Sequence, residues 1–249
     1  MPAIAVLAVV GAAACAGAWA RIWLSTSPRF AVTEISVSGN DTLELEAVRA
    51  AMGLAEQQNI FGLDLADVET VLEQHPWIRE AHVERRLPDR LLVDLVEQRA
   101  AALVELGGLY LIDREGMPFK RTTVDREEGL GLVVITGIAR EEYAAAPGRA
   151  HARFRQALEL VDLYNDNEDR PAVGEVNLDD REGTTLFSRD SAVAVRIGTG
   201  TTRALGSRLG AFDAAWSALS AAEKQRARVI HANRDTTPQR VSVAFSQDR

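Results

Sequence analysis

Four histidines, His75, His82, His151 and His231, and an acidic run, Asp179-Asp180 with Glu182, are the side chains best suited to hold a metal or move a proton. Neither set has the spacing that such chemistry needs. No two histidines form HxH, HxxxH or HExxH, so no helix or strand aims two imidazoles at one ion. The acidic run adjoins Gly183 and reads as a solvated turn rather than an acid–base pair. Gly198-Thr199-Gly200 with Gly206 has the glycines of a phosphate loop but lacks the Lys-Ser/Thr pair that would reach the phosphates, so a plain strand-to-helix turn is expected. GxSxG is absent, and Cys15 is the only cysteine, which excludes an internal disulfide and a thiolate cluster. The expectation is a protein that is not an enzyme, with no catalytic residues, no metal, no cofactor and no small-molecule substrate.

Charge narrows the partners. A formal net charge of −8 over 249 residues argues against nucleic acid, whose phosphates demand clustered cations. The run Arg85-Arg86 with Arg90 admits two readings: an anion site for an acidic partner, or a salt-bridged surface in which strand alternation turns Arg86 outward.

The elements that would position these residues begin with 19 uncharged residues, Pro2 to Ala20. At about 1.5 Å rise per residue, a helix of that length nearly spans the hydrocarbon core of a bilayer. Trp19, Arg21 and Trp23 suit the membrane interface. Residues 1–24 are therefore expected to form a single transmembrane anchor with little cytoplasmic tail. Cleavage after Ala18 or Ala20, as from a signal peptide, is the competing reading, although a basic n-region is missing. Arg21 and Arg29 follow the segment, so flanking charge by itself would hold the bulk of the chain in the cytoplasm; orientation must be argued from the rest.

Residues 25–99 read as β-α-α-β-β. Val32, Ile35 and Val37 mark a strand ended by Gly39-Asn40, and Asp41 with Glu44 suggests a capping box before a helix carrying Leu45, Val48 and Met52. Asp64 is the expected N-cap of a second helix with Val68, Val71 and Leu72. A hairpin follows, with Ala81, Val83 and Leu87 on one arm and Leu91, Val93 and Leu95 on the other forming its buried face.

Residues 100–249 read as a mixed β-sheet domain packed with helices, so the fold class is α+β. Strands are expected over 109–112, 117–120, 131–136, 173–178, 184–188, 192–197, 228–231 and 240–245. One helix is expected over Arg149–Tyr164 and another carrying Leu205, Leu209, Phe212, Trp216 and Leu219, a stripe that packs on the sheet. In the last strand, Val241, Val243 and Phe245 are expected to face the core and Ser242 and Ala244 to face outward.

The phrases Val37-Ser38-Gly39-Asn40, Asn59-Ile60-Phe61-Gly62-Leu63-Asp64, Pro76-Trp77-Ile78, Leu87-Pro88-Asp89-Arg90-Leu91, Glu97-Gln98-Arg99, Tyr110-Leu111-Ile112-Asp113 with Gly116, and Val133-Val134-Ile135-Thr136-Gly137 stand in this order along the chain. Together they resemble the FtsQ/DivIB family of cell-division proteins. The resemblance implies a POTRA domain followed by the family's β domain. It also implies a bitopic scaffold in the inner membrane at the division septum, with its bulk in the periplasm. FtsB-like and FtsL-like division proteins would be its partners, and through them the septal peptidoglycan synthase. By the same resemblance the last strand, Val241-Ser242-Val243-Ala244-Phe245, would bind the FtsB-like partner by strand addition, with Arg234 and Arg181 pairing to acidic partner residues. Near the end the chain has His231-Ala232-Asn233-Arg234 where the family usually has an Asp-Leu-Arg-Tyr-like sequence. The competing reading is a secreted periplasmic enzyme or POTRA-containing envelope-assembly factor with residues 1–20 removed.

Overall fold

The computed structural model describes residues 2–55, 57–123, 126–233 and 240–246, with side chains from residue 10 onward. It divides into two compact units, Met1–Gln98 and Arg99–Arg249.

The first unit opens with helix α1 (Pro2–Thr26). Among the described residues, no helix is long and apolar enough to cross a membrane. Strand β1 (Glu34–Ser38) leads to helix α2 (Leu45–Met52), which buries Val48 and Met52. The expected capping box at Asp41 and Glu44 does not form: Glu44 makes no side-chain cap hydrogen bond. Glu97, far along the chain and only 9% exposed, accepts from the backbone N–H groups of Thr42 and Leu43 instead, each at 2.8 Å. Gly53 closes α2 at φ 62°, a left-handed conformation that glycine adopts without strain.

A 3-10 turn over Ile60–Gly62 precedes helix α3 (Leu65–Glu73), whose N-cap is Asp64 as expected, its carboxylate accepting from Ala66 N–H at 3.0 Å. Strands β2 (Ile78–Arg86) and β3 (Arg90–Glu97) form the hairpin, and the sheet order is β1-β3-β2 with β1 parallel to β3. Val83, Leu91, Val93 and Leu95 are buried against Val48, Met52, Val68 and Leu72. Leu87 is not among them. It falls in the hairpin turn, beyond the last paired residues, and is 60% exposed.

The second unit is built on one nine-stranded sheet, in the order β12-β11-β10-β9-β8-β7-β4-β5-β6. Its strands are β4 (Ala102–Glu105), β5 (Leu109–Ile112), β6 (Pro118–Thr122), β7 (Val134–Thr136), β8 (Val173–Asp179), β9 (Gly183–Ser188), β10 (Ala194–Gly198), β11 (Ala227–His231) and β12 (Ser242–Phe245). Helices α4 (Arg140–Ala145) and α5 (Pro147–Asn165) lie between β7 and β8; α6 (Thr202–Ala218) and α7 (Ala221–Arg226) lie between β10 and β11. Phe154, Leu158 and Val161 of α5 and Leu205, Leu209, Phe212 and Trp216 of α6 share one core with Ile135, Val176 and Ile230 of the sheet. The apolar stripe of α6 is thus packing surface, while Leu219 follows as its C-cap and is only partly buried. Tyr164 and Phe212 stack between the two helices at 6.1 Å. Both units together are the mixed α+β architecture expected.

Candidate partner-binding edge

β12 is the terminal strand of the nine-stranded sheet and pairs only with β11, antiparallel, so its other edge carries main-chain groups with no strand partner among the described residues. Its register sets Ser242 opposite His231, Val243 opposite Ile230 and Ala244 opposite Val229. Val241 and Val243 pack on the core while Ser242 and Ala244 are exposed, as the alternation predicts. Phe245 departs from it and is 40% exposed. The register shifts between Ala227 and Val229, so Arg228 is an extra residue on β11, and Phe245 lies at the strand's end beyond that bulge.

The direction of the amides follows from one bond beyond the strand. Ser246 N–H donates to Arg226 C=O at 2.8 Å. In-plane N–H direction repeats every second residue, so Ala244 and Ser242 also aim their N–H groups at β11, whereas Val243 and Phe245 aim theirs at the open edge. The outward donors therefore belong to Val243 and Phe245, not to Ser242 and Ala244.

Strand directions bring other residues to the same end of the sheet as Ser242. The β8–β9 turn holds Arg181; Asp179 accepts from the N–H groups of Arg181 and Glu182, each at 2.7 Å, and these bonds hold its carboxyl below the usual carboxylate range. The Arg181 side chain is exposed in that turn. A Cβ on Gly183 would lie 2.1 Å from the backbone of Gly198, so the end of β9 presses directly on the end of β10. A Cβ on Gly198 would in turn lie 2.8 Å from Asn233, just past β11. Arg234 lies outside the described residues.

Arg208 of α6, which no motif singled out, organises this end. It is 6% exposed and donates to the C=O groups of Ile197 (2.8 Å) and Thr199 (2.7 Å). The glycine-rich Gly198-Thr199-Gly200 segment is thus a strand-to-helix turn tied down by a cation through its carbonyls. Its polarity is opposite to that of a phosphate cradle, which presents N–H groups.

The remaining candidates are accounted for within their own units. Arg85 donates to the carbonyls of Ile60 (2.9 Å) and Leu63, Arg86 pairs with Glu84 at 3.8 Å, and Arg90 pairs with Glu34 at 3.1 Å. That run is structural and salt-bridged. Asp180 pairs with Arg153 at 2.8 Å, and no group of three or more potential metal ligands occurs among the described residues. Trp19 and Trp23 are both exposed on α1, the latter edge-on to Phe30 at 5.9 Å, and Phe30 meets Phe61 at 5.0 Å. Asn59 donates to Leu24 C=O (2.9 Å) and Ser27 C=O (3.3 Å) while its oxygen accepts from Phe61 N–H, so one amide joins the end of α1 to the following fold.

A family model for the POTRA domain, FtsQ-type, matches residues 30–98, and one for the cell division protein FtsQ/DivIB C-terminal domain matches residues 102–233. The chain belongs to the FtsQ/DivIB family of cell-division proteins. It is 35% identical over 233 residues to the cell division protein FtsQ of Myxococcus fulvus, covering 92% of this chain and 79% of that one. It is 36% identical over 251 residues to the FtsQ of an Anaeromyxobacter species, covering 100% and 82%. The cell division protein DivIB of Clostridium tetani is a more distant relative, 23% identical over 175 residues, covering 68% of this chain and 64% of that one. The first unit carries the FtsQ-type POTRA match and the second the match to the family's C-terminal domain. The FtsQ/DivIB match ends at residue 233, so β12 lies outside it.

Proposed function

We propose that this member of the FtsQ/DivIB family is a non-enzymatic division scaffold that binds an FtsB-like protein by strand addition at β12. Through that protein and an FtsL-like partner it would reach the septal peptidoglycan synthase. The observation that carries this reading is the terminal position of β12, with Val243 and Phe245 directing N–H groups at the open edge. An incoming strand gains main-chain hydrogen bonds there, and alternate side chains supply specificity. Arg181, at the same end of the sheet, is a candidate for pairing with an acidic residue of that strand, and Arg234 is a second on sequence grounds.

The proposed organisation is an anchor over residues 1–24, a POTRA domain over 25–99 and the β domain over 100–249. The uncharged stretch Pro2–Ala20, with Trp19, Arg21 and Trp23 at its end, supports a single-pass anchor in the inner membrane, with the folded bulk in the periplasm at the septum.

Replacing Phe245 by proline removes an outward donor and leaves the Ser246 and Ala244 bonds to β11 in place. The expected result in a calorimetric titration with an FtsB-like segment is loss of binding with an unchanged thermal transition. Ala244→Pro, which removes a ladder bond, should lower the transition itself. Full affinity in Phe245→Pro would refute strand addition at this edge.

A further inference from the structure

At the other end of the nine-stranded sheet a second surface is built around the turn between β4 and β5. Two arginines from distant parts of the chain lie across its adjacent glycines. A Cβ on Gly107 would meet the Arg140 side chain at 3.4 Å, and one on Gly108 would meet the Arg121 guanidinium at 3.2 Å. Among the described residues, neither arginine has a carboxylate within ion-pair distance. Glu105, the acid nearest the turn in sequence, accepts the Gly107 N–H at 2.9 Å. Both arginines border a cavity of about 300 Å³ whose wall is apolar and aromatic, including Leu106, Tyr110, Pro118 and Tyr143. Tyr143 presents its ring there while its hydroxyl engages His151 at 3.1 Å. Arg121 also borders a larger neighbouring groove of about 630 Å³ that contains Arg126.

From this juxtaposition of two exposed guanidinium groups, neither of them ion-paired among the described residues, with an aromatic-walled cavity, we propose that the β4–β5 turn is a docking site for an acidic peptide segment carrying an apolar side chain. Arginine is the cation suited to this task, since its planar fork grips a carboxylate through two parallel hydrogen bonds. On a chain of net charge −8, an acidic partner can approach only where cations are exposed without counter-charges. Carboxylates on either side of an apolar group are peptide chemistry, and the cavity takes one such side chain between the two arginines. This surface is independent of the β12 edge, since five strands lie between β12 and β4.

The test uses the full-length protein in detergent micelles and a fluorescein-labelled acetyl-Glu-Trp-Glu-Leu-Glu-amide, followed by anisotropy. Saturable binding is expected, weakened about tenfold or more by Arg121→Glu with Arg140→Glu, on the scale of charge pairs lost from an interface. Gly108→Ala keeps both charges but displaces the Arg121 guanidinium, and should give an intermediate loss with an unchanged melting transition. Phe245→Pro should leave this binding intact, separating the two surfaces. Absent binding, equal binding of acetyl-Lys-Trp-Lys-Leu-Lys-amide, an unaffected charge-reversed variant, or displacement by short-chain phosphatidylglycerol would each overturn the proposal, the last in favour of a lipid surface.

Discussion

Asp213 on α6 grips Arg170 through two hydrogen bonds, at 2.7 and 2.8 Å, and Arg170 donates to the last carbonyls of α5, Leu163 and Tyr164. One ion pair therefore closes the C-terminal end of a helix, where a cation opposes the negative pole of the backbone dipole. Hydrogen bonding from Arg170 holds the Asp213 carboxyl below its ordinary range, burial opposing it more weakly. A depressed carboxylate contributes stability that is fully present above its unfolded value, about 4, and is lost as pH falls through its lower folded value. Asp213→Asn should thus cost about 1–3 kcal/mol at neutral pH, and the difference from the parent should shrink below about pH 4 and vanish in stronger acid. Urea midpoints measured from pH 7 down to pH 2.5 check both the size and the sign. Glu97→Ala removes two bonds from the Thr42 and Leu43 amides and should lower stability by about 1–3 kcal/mol, read from urea midpoints at neutral pH.

Among elements, the ends of β9, β10 and β11 are held together by the absence of side chains. Gly183 has φ 81° and no room for a Cβ against Gly198, so Gly183→Ala must part β9 from β10 as well as strain its own backbone. A drop of several degrees in melting temperature is expected, since about 1 kcal/mol moves Tm by about 2–4 °C in a unit of this size. Weaker partner binding should accompany it, because the displaced strands support β11 and through it β12. Periodicity made most of these strands legible beforehand: β8, β9, β10 and the stripe of α6 follow directly from alternation or helical spacing. It did not reveal β4, α4 or α7, which are four to six residues long and too short for a period to show. Leu87 and Phe245 misled for a related reason, each continuing its strand's alternation past the point where a turn or a bulge ends it. Arg208 fell in no motif, and although Asn59 and Glu97 stand in phrases that resemble the family, nothing in those phrases showed what the two side chains bind. Their partners are backbone groups set by the fold, 55 residues away in the case of Glu97 and Thr42, and a carboxylate bonded to a distant amide looks in sequence like any exposed acid.

For the whole molecule, the decisive question is whether residues 1–24 stay attached and what they do to the POTRA domain. The Asn59 amide binds carbonyls at the end of α1 and the Phe61 amide at once, and the rings of Trp23, Phe30 and Phe61 run in sequence from the helix into the fold. If the helix is an anchor, that joint sets the POTRA domain close to the lipid headgroups, where aromatic rings are favoured. Intact-mass measurement of the protein from membranes should then show Met1 or Pro2 at its terminus; a terminus at Trp19 or Arg21 would establish a secreted form instead. Retention leads to a second expectation. With bilayers containing brominated acyl chains, tryptophan emission from Trp19 and Trp23 should be strongly quenched, whereas Trp77 and Trp216 should contribute an unquenched fraction. Asn59→Ala should leave the quenched fraction unchanged, because the helix still inserts. It should also make the segment around Ser27 and Arg29 accessible to trypsin, because the carbonyls of Leu24 and Ser27 lose the Asn59 amide that ties them to the following fold. Resistance of that segment in the variant would show that the aromatic contacts alone fasten the joint.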